Sequence, residues 1–151
     1  MKTAALELEY LLDAPLSNVW KALTVNAKMK KWYFDLAEFK PELGFEFKFY
    51  GSKDDTKYLH ICKVTTVIPE KQLSYSWKYD QFPGETLVSF TLAESEGKTR
   101  LKLRHSGLDT FPSDNPDFSS DSFQQGWTYI LGTSLKNFLK KQRIIHNISD
   151  Q

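Results

Sequence analysis

The chain has 151 residues, 20 Lys and Arg against 19 Asp and Glu, a formal charge of +1 and a single cysteine. That length predicts one domain burying roughly 68–70% of the surface its unfolded form exposes, and the near-zero charge excludes bulk electrostatic recruitment of nucleic acid or an anionic membrane. Cys62 has no second cysteine to pair with, and no apolar run is long enough to span a membrane or follows a basic start as a secretory signal would, so the sequence predicts a cytoplasmic protein.

Aromatic residues stand out: 11 Phe, 7 Tyr and 4 Trp make up 15% of the chain within an ordinary 40% hydrophobic content. Large rings serve equally well as core filler and as ligand walls, so composition leaves a filled core and a cavity both open.

In chain order, Leu6, Leu8, Tyr10 and Leu12 alternate with polar residues at the period of two that a half-buried strand requires. Asp13-Ala14-Pro15 offers a polar cap and a proline suited to a first helical turn. Leu16, Val19, Trp20 and Leu23 then predict a short amphipathic helix ending near Thr24, followed by a helical turn from Asn26 to Lys31 before Trp32. Phe45, Phe47 and Phe49 share one face of the next strand, and Tyr50 to Lys57 reads as a hairpin loop. From Tyr58 to Ile68 the apolar residues change phase, which predicts a bulge or strong bend. Three further strands carry Leu73, Tyr75, Trp77 and Tyr79, then Val88, Phe90 and Leu92, then Leu101, Leu103 and His105. Turns at Pro69-Glu70-Lys71, Pro83-Gly84 and Glu96-Gly97-Lys98 separate them.

The polar stretch from Gly107 to Ser122, with two prolines and four aspartates, predicts a solvated loop over the mouth of the sheet. Asp121 or Ser122, with Gln124 or Gln125 three residues on, can cap a final helix. Phe123, Trp127, Ile130, Leu131, Ser134, Leu135 and Phe138 form its apolar stripe, with an end near Arg143. The domain is therefore predicted to span 1–143, leaving 144–151 as a flexible tail. These elements describe an α+β helix-grip fold: a curved antiparallel sheet of about six to seven strands around a long C-terminal helix, with two short helices after the first strand.

Specific residues sharpen that reading. Val19-Trp20-Lys21-Ala22-Leu23-Thr24, Trp32, Gly44-Phe45-Glu46-Phe47, Pro69 with Leu73, Tyr75 and Trp77, Thr99-Arg100-Leu101, His105-Ser106-Gly107, and Gly126-Trp127 with Leu131 and Leu135 occur in this order. Together they resemble the activator of Hsp90 ATPase homologue 1-like family, within the START and Bet v 1-like superfamily, over almost the whole chain. The resemblance implies a container for apolar or amphipathic small molecules such as lipids, sterols and polyketides. The namesake co-chaperone carries a separate N-terminal domain with an Asn-Asn-Trp-His-Trp stretch that stimulates the chaperone ATPase. Neither is present in these 151 residues, which resemble the C-terminal type of domain.

A grip fold leaves space between helix and sheet, so Trp127 and Leu131, opposite Phe47, Tyr75, Trp77, Phe90 and Leu103, are candidate ligand-binding walls, with core packing the alternative for each. Trp32 is a candidate to close the opening. His105 lies in the inward phase of its strand and is a candidate to hold a polar ligand group, or else a hydrogen-bonded structural histidine. Hydroxyls at Tyr75 and Tyr79 must find partners inside. No Cys/His spacing resembles a zinc site, no Gly-rich turn cradles phosphate, and Ser106 lacks a Gly-x-Ser-x-Gly elbow, so no metal, cofactor or catalytic residue is assigned. The leading expectation is a non-catalytic binding module for an apolar or amphipathic small molecule (lipid, sterol or polyketide-like aromatic) between the final helix and the sheet. A protein-interaction or chaperone-adaptor module is the alternative, and a polyketide cyclase or dehydratase the third.

Overall fold

A computed structural model describes residues 5–33, 36, 38–53 and 56–141. The period-two segments become six strands among the described residues: β1 (Leu6–Leu12), β2 (Glu46–Lys53), β3 (Thr56–Ile68), β4 (Gln72–Tyr79), β5 (Thr86–Ser95) and β6 (Lys98–Ser106). They form one antiparallel sheet in the order β1-β6-β5-β4-β3-β2. Neighbours in sequence pair as hairpins from β2 to β6, and β1 closes onto the last strand with Leu8 opposite Leu103. This is the helix-grip arrangement.

Alternation decides the two faces. Leu101, Leu103 and His105 are fully buried on the inner face of β6. Lys102 and Arg104 reach Glu7 across the outer face (3.1 and 3.7 Å), and Arg100 reaches Glu9 at 3.4 Å. Half-exposed pairs of this kind add little stability, but they mark that face as solvated. The expected irregularity in β3 is a register shift between Val64 and Thr66, and the inserted residue explains the change of phase between Val64 and Val67, while Leu59 and Ile61 lie half-buried on the opposite face from Tyr58, His60, Cys62 and Val64. Glu96 and Gly97, both with positive φ (51° and 82°), make the two-residue turn whose twist suits the β5–β6 hairpin.

Several boundaries differ from expectation. Between β2 and β3 the strands continue where a loop was predicted, pairing Tyr50 with Leu59 and Gly51 with Tyr58. Helix α1 (Leu16–Thr24) begins after Pro15, whose carbonyl accepts from the amides of Asn18 and Val19 (3.0 and 3.1 Å). Helix α2 spans Asn26–Trp32. The final helix α3 starts at Ser120, because the Ser119 hydroxyl accepts from the Ser122 amide (3.1 Å), ahead of the Asp121 or Ser122 cap expected. The predicted end near Arg143 and the tail 144–151 lie outside the described residues.

Helix α3 runs α-helically over Ser120–Tyr129, widens into a π-helical segment over Ile130–Leu135, and resumes to residue 141. The sequence states why. Phe123, Trp127, Leu131, Leu135 and Leu139 are all buried and recur every four residues. Four residues turn through about 400° in a straight α-helix, so such a stripe would drift off the sheet. A wider π turn restores the phase, and Leu131 and Leu135 stay fully buried. Ser134 then donates to the Trp32 carbonyl (2.6 Å), tying α3 to α2.

The segment from Gly107 to Ser122 is no solvated loop. It folds into two 3-10 turns, Leu108–Thr110 and Pro116–Phe118, and buries Leu108, Phe111 and Phe118. Thr110 staples it to the start of β5 through the backbone of Glu85 (3.0 and 3.1 Å). A glycine is required at position 84, where a side chain would meet the Thr110 carbonyl at 2.5 Å. Among the described residues, no helix is long and apolar enough to cross a membrane, and no group of three or more His, Cys, Asp or Glu side chains could hold a metal ion.

Candidate functional site

Where the first turns of α3 cross the ends of β3 and β4, helix and sheet stand apart around a cavity of about 130 Å³ that opens to solvent. Period-two alternation brings Tyr58 and His60 of β3 and Trp77 and Tyr79 of β4 onto its floor. Phe123, Trp127 and Ile130 of α3 form the opposite wall, and Asp117 and Phe118 of the cover close one side. Gly51 on β2 and Gly126 on α3 also border the space. Gly126 is exposed, and a Cβ there would meet nothing within 4 Å.

His60 sits inside this ring system. It stacks on Phe49 (centroids 4.5 Å apart, 15° between planes) and meets Trp77 and Tyr79 edge-on at 4.8 and 4.7 Å. The contact of Nδ1 with the Tyr58 carbonyl (3.0 Å) puts a proton on that nitrogen. Burial lowers its pKa to about 4 against the opposing backbone hydrogen bonds of Tyr58 and Phe49, so the ring is neutral at pH 7. Tyr58 donates its hydroxyl to Asp117 Oδ2 (2.5 Å), and the Asn115 side chain accepts from the Asp117 amide (3.0 Å). Burial, then the bonded carboxylate, raises the Tyr58 pKa, and burial raises that of Tyr79.

Behind the cleft runs a buried relay. The Trp127 indole N–H, which can only donate, points at His105 Nδ1 (3.1 Å). The ring proton must therefore be on Nε2, which donates to Thr86 Oγ1 (2.8 Å), and Thr86 donates in turn to the Trp77 carbonyl (2.8 Å). Helix α3 is thus bonded through β6 and β5 to β4. Both nitrogens of His105 are committed, and burial lowers its pKa to about 3.

Of the residues singled out from sequence, Trp77 and Trp127 border the cleft. His105 lies directly behind Trp127 as its hydrogen-bond acceptor. Phe47, Tyr75, Phe90, Leu103 and Leu131 are buried in the interior beyond it. The Tyr75 hydroxyl meets that of Tyr33 at 2.6 Å, and burial raises both phenols. Trp32 is also buried, its indole donating to the Ala22 carbonyl (2.9 Å), and it does not border the cleft. Tyr58, His60, Asp117, Phe118 and Gly126 were not anticipated as walls. The available signal was Phe111 and Phe118, isolated large rings in an otherwise polar stretch.

Chemically, the cleft offers aromatic faces, one carboxylate and the Ser122 hydroxyl. Its histidine is held neutral by burial, and the Cys62 thiol, buried elsewhere in the core, is pushed up by the same cause. Such walls suit holding a molecule rather than moving its protons.

Residues 13–140 match the sequence pattern of the family described as activator of Hsp90 ATPase homolog 1-like protein. Among solved structures, a Mesorhizobium loti protein is 25% identical over 91% of this chain and 97% of its own, with a TM-score of 0.71. A Rhizobium loti protein is 16% identical over 90% of this chain and 96% of its own, with a TM-score of 0.78. DynU16, a protein of the dynemicin biosynthetic locus, is 20% identical over 91% of this chain and 48% of its own, with a TM-score of 0.74. No curated protein matches the chain.

Proposed function

The chain belongs to the activator of Hsp90 ATPase homolog 1-like protein family, and from that premise we propose that it is a cytoplasmic binding module holding a small apolar or amphipathic molecule in the cleft under the 107–122 cover. The observation that carries this reading is the cleft itself: about 130 Å³, open on one side and walled by Trp77, Tyr79, Phe118 and Trp127. An apolar cavity of roughly 150 Å³ takes up one benzene molecule, whereas drug-sized ligands need roughly 300–1,000 Å³. The volume therefore favours one ring or a group of that size, with the rest of a larger lipid or polyketide-like guest left outside.

Amide NMR titration of the intact chain with toluene, indole and benzyl alcohol, set against myristate and a sterol, tests this. Saturable shifts from the single-ring probes are expected at Gly51, His60, Trp77, Gly126 and Trp127. No saturable shift from any probe would sink the container reading, and shifts confined to Phe47, Leu103 and Leu131 would move the site into the interior.

A further inference from the structure

We propose that the place filled by the Tyr33 ring is a second binding site, which takes a neutral phenol when Tyr33 turns out of it; the site is separate from the cleft and stands or falls on its own. The first observation is where Tyr33 comes from. It follows α2, with a backbone (φ −107°, ψ −126°) that belongs to neither helix nor strand. The residue is half-buried, whereas two rings it meets inside, Tyr75 and Trp127, are 1% and 2% exposed. Its side chain therefore reaches inward from the surface with the hydroxyl at the buried end. Strand residues such as Phe49 and Tyr75 are fixed by the sheet, but a side chain at a helix end can withdraw by turning about its own bonds.

The chemistry at the inner end is the second observation. Among the described residues, the hydrogen-bond partner of the Tyr75 hydroxyl is the Tyr33 hydroxyl, at 2.6 Å. Burial raises both phenols and the neighbouring Cys62 thiol well above their ordinary values, so an anion is disfavoured there. A guest must therefore bring a neutral hydroxyl to this end. A ring without one would strand the Tyr75 hydroxyl in apolar surroundings, and an unmade buried hydrogen bond costs more than a made one gains.

Shape is the third observation. The Tyr33 ring stacks on Trp127 (centroids 6.2 Å apart, 18° between planes) and packs against Phe49 at 5.9 Å. These rings close on Tyr33 itself, so the space is one ring in size and opens to a guest only when Tyr33 has left. A phenol remakes the same stacking and the same bond to Tyr75, so the walls lose little in the exchange. The further contacts that Tyr33 holds favour the closed arrangement and set the affinity that a guest must exceed.

The test is amide NMR titration of the intact chain with p-cresol, which is the tyrosine side chain ending at Cβ, and with toluene, which lacks its hydroxyl. In wild type, p-cresol is expected to give saturable shifts at Tyr33, Phe49 and Tyr75, with an affinity for this group about tenfold or more above that of toluene. Tyr75→Phe should remove the preference. Tyr33→Phe keeps the ring but leaves the Tyr75 hydroxyl without its partner, so p-cresol should bind there about tenfold more tightly than in wild type. Tyr33→Ala should strengthen both probes and keep the preference. If p-cresol leaves Tyr33 and Tyr75 unmoved in wild type, or the two probes bind there equally, or Tyr75→Phe keeps the preference, Tyr33 is fixed core and the phenol site is overturned. Shifts at Gly51 and Gly126 report the cleft separately: present without the Tyr33 group, they leave the container reading standing, and absent with it, they overturn the container and leave the phenol site.

Discussion

Helix α3 meets the sheet in two ways within a few turns. At Leu131 and Leu135 it is fully buried within the same core as Leu101 and Leu103, while just before, at Gly126 and Trp127, it stands off around a cavity of about 130 Å³. The elements are the same at both levels, so the fold does not decide which end is empty. Residue size differs between them: leucines fill one end, and glycines at 51 and 126 border the other. The Trp127–His105–Thr86 relay lies at the boundary and fixes the helix where side-chain packing gives out.

The largest expected effect reads that boundary through pH. Burial lowers the pKa of His105 to about 3 and that of His60 to about 4 in the folded protein, both below the ordinary imidazole value of 6.5. Between those limits the unfolded chain takes up protons that the folded chain refuses. Stability is therefore full above about pH 6.5, falls as pH drops, and stops falling from this source below about pH 3. Each imidazole contributes roughly 1.4 kcal/mol per pH unit while only its unfolded form titrates. Urea unfolding at pH 7, 6 and 5 should show this slope, and His105→Gln should remove about half of it. Glutamine supplies one acceptor and one donor but never ionises, so an unchanged slope would mean that His105 is not held neutral.

Next comes packing. Leu131→Ala should cost about 3 kcal/mol in urea unfolding, the usual range for a closely packed leucine. Ile130→Ala, one residue earlier on the cleft wall, should cost roughly 1 kcal/mol, because a half-exposed side chain beside existing space leaves little new cavity. Similar losses at the two positions would erase the contrast between the packed and the open end.

The packed end was legible in the sequence, and the open end mostly was not. Alternation gave the inner faces of β4, β5 and β6 directly, since each residue's parity is a local property. Even the π segment had a trace, in the four-residue spacing from Phe123 to Leu139. Tyr58 and His60 resisted assignment because apolar Leu59 and Ile61 sit half-buried on the other face of β3 and mask the parity that Tyr58, His60, Cys62 and Val64 share. Asp117 and Phe118 reach the cleft only because their polar segment folds back through Thr110 and buried rings, which is tertiary information. Gly51 and Gly126 border the cleft without a side chain, and a search for chemically active side chains passes over such positions.

That last point yields the smallest effect and the sharpest separation of the two ends. Gly126 lies within α3 with open space where a Cβ would be, so Gly126→Ala meets no clash. Alanine in place of glycine within a helix should stabilise by up to about 1 kcal/mol, raising the midpoint of thermal unfolding by a few degrees. The added methyl stands at the border of the cleft, however, and the larger Gly126→Leu is expected to reach into it. Single-ring probes should therefore bind progressively more weakly across glycine, alanine and leucine while the folded state loses nothing. Were this glycine merely a helix defect, stability would rise and binding would stay the same. A coupled loss of binding with unchanged or higher stability would identify Gly126 as a position where helix stability is given up to keep space for a guest.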